Sequence, residues 1–326
     1  MIAIQIQPED IVQMRFAYSP LIELVKSYRV LKLPELHGRY RAWVDAATLA
    51  LRGAAFPYMD ALMTLEYCAQ FLMPTPHKPV RDFADDIADL RMIPAAQIRQ
   101  ETLNVLSVAQ LTATRQAFLD APYAALECLI AELVGYWERT LAVYWRRMIP
   151  ILENDILYQA KSFALNGAEI TLDQLAQNTA YDDDMLRIDI RNNRSMPSDI
   201  SLNGDGLQLV PSIFKATSNF HSHPHKRPMV MYSARGGGLL EPEGQQEGRE
   251  SLRLLVGDSK TRILIALQTA LHTQELSQRL GVTAGAISQH LRRLQESGMV
   301  EAHRSGYYVY YRLSHRGQKL LELFAD

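Results

Sequence analysis

The sequence predicts a mainly α-helical protein with a small β-sheet. It divides into a helical amino-terminal domain and a carboxy-terminal unit of helix, tight turn, helix and β-hairpin. Three observations predict this. Apolar residues recur at helical spacing from Ser19 to about Leu165. Alternating apolar residues are confined to short runs: one at the start, a few between Tyr181 and Gly236, and two near the end. A Gly- and Glu-rich stretch, ARGGGLLEPEGQQEGRE from Ala234, has the composition of a connector. The expected boundaries are a sensor and dimerisation domain over 1–236, a linker over 237–246 and a second domain over 247–326.

Composition narrows the class. Of 326 residues 48% are apolar and the formal net charge is −2, which suits packed domains and argues against a protein that coats nucleic acid indiscriminately. Two cysteines, Cys68 and Cys128, both lie in apolar helical runs and read as buried free thiols. The start, MIAIQIQPED, lacks the basic and apolar regions of a secretory signal, and no run of about 18 apolar residues occurs. The expectation is a cytoplasmic protein without a membrane partner.

In chain order, Ile2, Ile4 and Ile6 alternate as a short strand, and Asp10 is placed to cap a following turn. Helical patterns follow in SPLIELVKSYRVL, LHGRYRAWVDAATLALRG and YMDALMTLEYCAQFL, with breaks at Pro34, Pro57 and Pro74. PVRDFADDIADLRMI and PAAQIRQETLNVL each open on a proline at or near the first helical position. The longest helical signal runs from Pro122 to Leu165, and Gly135 and Pro150 are expected to divide it. Its aromatic stripe of Tyr136, Trp137, Tyr144 and Trp145 reads as core or dimer interface in preference to a ligand pocket.

Beyond Tyr181 the runs YDDDMLRIDIRNN, GLQLVPSIF and PMVMYSARG are β-patterned and, with the first strand, are expected to form one small sheet. Asp182 to Asp184 read as a solvated loop. His221, His223 and His225 alternate, so on a strand three imidazoles would share a face and converge on a transition metal. Pro224 and polar neighbours favour a loop, and no Cys or Glu stands at a useful spacing.

The final segment carries the most specific pattern. Glu250 to Val256 and Ser259 to Leu271 read as opening helices, the second capped by Asp258 or Ser259. Leu276 and Leu280 sit one turn apart, Gly281 offers a left-handed cap and Thr283 opens the next helix. There Ile287, Leu291 and Leu294 form the apolar face, and Ser288, Gln289, Arg292 and Arg293 the polar one. Gly298 ends that helix, and MVEAH and YYVYYRL flank a turn at Arg304, Ser305 and Gly306. Such a unit is a winged helix, whose second helix has the width of the DNA major groove. From Asp258 to Asp326 there are nine Lys and Arg against six Asp and Glu, so the basic excess is local to it.

From Leu276 to Leu313 the order of residues resembles the ArsR-type winged-helix regulators. The chain matches their small-residue turn, Ile-Ser-x-His-Leu and Gly-x-x-x-Tyr-Tyr-x-Leu runs. The resemblance implies a bacterial DNA-binding regulator. The chain departs from it in Ala284, Gly285 and Ala286, which offer bases no side-chain hydrogen bonds. The run HTQELSQRL also lacks the cysteine pair of metal-sensing members. Among the Asp and His ligands of the other sensing site, only His315 and Asp326 have counterparts here. Phe16 to Gly236 is similar to a large, poorly characterised amino-terminal domain that precedes ArsR-type domains in some regulators. Ser19 to Val25, Tyr144 to Asp155, GLQLVPSIF and Tyr232 to Gly236 carry that likeness.

The expectation is therefore a ligand-responsive repressor, bound as a homodimer to a pseudopalindromic operator in double-stranded DNA. Ser288 and Gln289 would lie at the bases, with Arg292, Arg293, Arg304 and Ser305 on phosphates, Tyr307 on the wing and Thr283 among the DNA-binding residues. No cofactor and no catalytic residue is implied. The sequence shows no nucleophile elbow, phosphate loop or dinucleotide fingerprint. The alternative is a metal-responsive regulator or metal-dependent enzyme using His221, His223 and His225.

Overall fold

The computed structural model describes residues 1–326 except 39, 77, 79, 177, 190–198, 216, 223–225, 236–245, 268–269, 306–307 and 325–326. Helix accounts for 58% of it, with small sheets, so the chain is mainly α with some β. It forms two compact units, one of Met1–Pro34 with Ala47–Ser233 and one of Glu35–Ala46 with Ala234–Asp326. The expected linker falls almost wholly outside the described residues.

The chain opens with β1 (Ile2–Gln5), α1 (Pro8–Val12), β2 (Arg15–Phe16) and α2 (Pro20–Lys32), then α3 (Pro34–His37), α4 (Arg41–Ala50) and α5 (Pro57–Leu62). After these come α6 (Phe83–Arg91), α7 (Ala95–Leu106), α8 (Ala113–Asp120), α9 (Pro122–Thr140) and α10 (Ala142–Asp173). The strands β3 (Thr179–Asp182), β4 (Met185–Ile188), β5 (Asp199–Ser201), β6 (Gln208–Ser212), β7 (Asn219–His221) and β8 (Met229–Ser233) follow.

Several expectations are corrected. Where one sheet was expected, the described strands of this unit make two, ordered β3-β4-β1-β5 and β2-β6-β8-β7. Ile2 and Ile4 pair with Ile188 and Leu186 of β4, whereas Val210 pairs with Met231 of β8. Both sheets nevertheless feed one core, in which Ile2, Ile4, Leu186 and Ile188 join Leu209, Phe220, Val230 and Tyr232. The run YMDALMTLEYCAQFL is not a continuous helix. It stops at Leu62, and Thr64 and the Glu101 carboxylate take up the backbone amides of Tyr67 and Gln70 at 2.9 and 2.7 Å. In PVRDFADDI the helix starts after Asp82, whose side chain accepts from the Asp85 amide at 2.8 Å, so a carboxylate cap and not Pro79 sets the start.

The long helical run breaks at Leu141 (φ −118°), not at Gly135 or Pro150, and bends again at Gly167 (φ 84°). Gly135 lies inside α9, where a glycine costs only about 1 kcal/mol. Pro150 lies inside α10, flanked by the buried Tyr144, Met148, Leu152 and Asp155, whose packing outweighs the lost hydrogen bond. Cys68 is half-buried, and Cys128 is exposed because the inward face of α9 is taken by Leu126, Leu129, Ile130 and Leu133. Asp10 does not sit at the cap position. It is the buried third residue of α1, accepting from the amides of Gln7 at 2.9 Å and Gly206 at 3.1 Å.

Buried carboxylates bind the segments together. Asp86 accepts from Ser19 Oγ (2.8 Å) and the Leu21 amide (2.9 Å), and its other oxygen lies 2.8 Å from Arg81 Nε. Glu23 accepts from the amides of Ile213 (2.9 Å) and Phe214 (3.3 Å), and Asp155 from Tyr232 Oη at 2.7 Å. Segments far apart in the sequence are thus bonded to one another: SPLIELV to GLQLVPSIF through Glu23, and α10 to β8 through Asp155.

Candidate nucleic-acid interface

The second unit contains α11 (Gln246–Val256), α12 (Asp258–Ala266), β9 (Leu271–His272), α13 (Thr273–Leu280), α14 (Ala284–Glu296), β10 (Val300–Ser305), β11 (Tyr308–Leu313) and α15 (His315–Leu323). Its core joins Ile263, Leu264 and Leu267 to Leu276, Leu280, Ile287, Leu291, Leu294, Val300 and Leu313.

Local chemistry positions α14. Helix α13 is capped by His272, whose Nδ1 accepts from the amides of Gln274 (3.2 Å) and Glu275 (3.4 Å), while Glu275 accepts from the His272 amide at 2.9 Å. A capping box built on histidine escapes a search for Ser, Thr, Asp or Asn. Gly281 ends α13 in the left-handed region (φ 69°, ψ 28°), and its amide donates to Ser277 O at 3.0 Å. Ser277 Oγ donates across the turn to Val282 O at 2.6 Å. Thr283 then accepts from the Ala286 amide at 3.3 Å and starts α14. The opening of α12 is different: Gly257, not Asp258 or Ser259, holds the cap position, and Asp258 instead faces Arg253 at 2.9 Å.

Helix α14 is sharply two-sided. Ile287, Leu291 and Leu294 are 0%, 1% and 3% exposed, while Ser288, Gln289, Arg292 and Arg293 are all exposed. Ser288 Oγ donates back to Ala284 O at 2.9 Å, which leaves its lone pairs outward. Arg292 Nε lies 3.1 Å from Glu296 Oε1, both largely in solvent. Thr283, Ala284 and Gly285 are exposed at the helix start, where a Cβ on Gly285 would meet nothing within 4 Å.

The wing has three described strands, ordered β10-β11-β9. The third was unexpected: Leu271, assigned by pattern to a helix, pairs with Tyr311. Arg304 and Ser305 belong to β10 and pair with Val309 and Tyr308, so they precede the turn. Arg304 is exposed, the Ser305 side chain is not described, and Tyr307 lies outside the described residues. A carboxylate on Glu301 meets Arg312 across the strands at 3.0 Å.

This is the geometry of a helix-turn-helix with a wing, and residues 259–302 match the model of the bacterial regulatory protein, arsR family. Residues 259–302 are an ArsR-family regulatory domain. The match supports DNA binding and transcription regulation. It ends within β10, so most of the chain lies outside it. No curated protein and no solved structure matches the chain.

The histidine cluster is only partly visible. His221 ends β7 with Nε2 3.0 Å from Asn219 Nδ2, and His223 and His225 lie outside the described residues. Asp183 and Asp184 take left-handed φ of 50° and 58° and form the turn of the β3-β4 hairpin. Among the described residues, no three His, Cys, Asp or Glu gather closely enough to hold a metal ion. Among them also, no helix is long and apolar enough to cross a membrane.

Proposed function

We propose that the chain is a ligand-responsive transcriptional repressor that binds a pseudopalindromic operator as a homodimer, with α14 in the major groove. The observation that carries this reading is the division of α14 into a locked aliphatic face and an exposed face of Ser288, Gln289, Arg292 and Arg293. Gln289, exposed and long enough for two hydrogen bonds to a base edge, is the main reader; Ser288 adds an acceptor. The exposed start of α14 brings backbone amides and Thr283 toward phosphate. Arg292, Arg293, Arg304 and Ser305 hold phosphates, and Tyr307 sits on the wing. Repression and release require an effector that binds the two DNA affinity states unequally, and the first unit is its place.

The roles separate by measurement. Gln289→Ala is expected to lower discrimination between operator and random DNA by roughly ten-fold or more. Arg304→Ala is expected to weaken binding to both equally and, in a dimer, to flatten the slope of log K against log salt by about 2. Equal losses from both variants on both DNAs would overturn the assignment.

A further inference from the structure

Glu23, Lys26 and Arg29 follow one another at three-residue steps along α2, so they share one side of the helix. Glu23 accepts from the amides of Ile213 and Phe214, at 2.9 and 3.3 Å, and so fixes the turn after β6. The next residue of that turn is Lys215. The bonds that anchor the turn therefore bring a third cation to the two on α2. The three are graded in depth: Lys26 is 9% exposed, Lys215 half-buried and Arg29 exposed. The cluster runs from the interior out to solvent.

Among the described residues none of the three forms an ion pair. The Lys26 ammonium, with three donors, meets only the Met73 thioether at 3.1 Å, a weak acceptor. The acids nearby are engaged: Glu23 holds its two amides, and Glu101 accepts from Tyr67 Oη at 2.8 Å and the Gln70 amide at 2.7 Å. Cys68, which faces Lys26, stays a thiol because burial pushes it up to about 11. Burial, with Arg29 nearby, pulls Lys26 down to about 8; burial, with Lys26 and Arg29 nearby, holds Lys215 well below the usual lysine range. Such lysines cost a fold stability, and an anion seated between them relieves both. We propose that Lys26, Lys215 and Arg29 form a binding site for a small phosphate-bearing anion, entered from the Arg29 side. A phosphate monoester carries about −1.5 to −2 charge at pH 7 and three acceptor oxygens, which suits two ammonium groups and a guanidinium. The proposal gives the effector invoked above a chemistry; its regulatory role rests on that reading, whereas the site is testable without DNA.

Thermal melting of the full chain tests it, at pH 7 and constant ionic strength, with inorganic phosphate, glycerol phosphate and succinate as probes. Both phosphates should raise the wild-type melting temperature with saturation; a tighter response to glycerol phosphate identifies an ester as the ligand, and equal responses identify free phosphate. Lys26→Met should start from a higher melting temperature and yet lose the rise, a combination that a purely structural lysine does not produce. Arg29→Gln, at an exposed position, should weaken phosphate about ten-fold, and Lys161→Gln, exposed on α10, should leave it unchanged. No saturable response to either phosphate, the same response in Lys26→Met as in wild type, or a response to succinate alone would overturn the site. A phosphate response with these variant effects, but with operator affinity the same in its presence and absence, would keep the site and overturn its role as the effector site. A chain that binds no operator at all would overturn the repressor reading and leave the site standing.

Discussion

Single side chains set both stability and DNA affinity here. Lys26 is buried with its ammonium 3.1 Å from the thioether of Met73, and burial, with Arg29 nearby, pulls its pKa down to about 8. A lysine whose folded pKa lies below its unfolded value costs stability at neutral pH, and the cost fades as pH rises from 8 toward 10.5. Lys26→Met should accordingly stabilise the fold at pH 7 by an amount of order 2 kcal/mol, read as a higher melting temperature, and the gain should shrink above pH 8. Glu23 pulls the other way: burial lifts its pKa to about 7 against the amides of Ile213 and Phe214 that favour its ionised form. Its folded pKa is above the unfolded one, so its contribution is lost as pH rises from about 4.5 through 7. In the proposed DNA contact, Arg292 would have to leave Glu296, 3.1 Å away, to reach phosphate. Glu296→Gln should therefore tighten binding to operator and random DNA alike, by about two- to five-fold in a filter or anisotropy titration; unchanged affinity would mean that Arg292 makes no phosphate contact.

Among elements, the hairpin and α15 depend on a close approach. A Cβ on Gly317 would lie 2.2 Å from the Met299 carbonyl oxygen, and the Gly317 amide is held by Ser314 Oγ at 3.1 Å. Gly317→Ala should destabilise the second unit by about 2–4 kcal/mol in urea unfolding and cost DNA binding with it, because the start of β10 would have to move. A variant as stable as wild type would contradict the approach. How much was readable in advance follows from the range of each interaction. Gly281, Thr283 and Gly298 act on their neighbours, so the turn and both helix ends of the recognition unit could be read from local sequence. The alternation of Ile2, Ile4 and Ile6 announced a strand but not its partners, which lie near residues 186 and 200. Nothing local separates β4 from β6, so one sheet was expected in place of two. Pro150 misled for a related reason: its penalty is local, whereas the packing that overrides it comes from other elements. His272 as a cap and Leu271 as a strand were hidden because each depends on β11 or on a ring nitrogen that composition cannot foretell.

For the whole molecule, a modest net charge of −2 with basic side chains exposed on α14 and β10 suits a protein that finds one site and does not coat DNA. One recognition helix reads only a few base pairs, and the proposed homodimer would gain its specificity by setting two of them on one duplex. Symmetry in the protein should then be written into its target. The most direct measurement is selection of bound fragments from a random pool of duplex DNA by the full chain at near-physiological salt. An inverted repeat with half-site centres about 10 base pairs apart, or a multiple of that, should be enriched, and Gln289→Ala should blur the same positions in both halves. A pool that emerges without any common motif, or with a motif indifferent to Gln289, would contradict the placement of α14 in the groove.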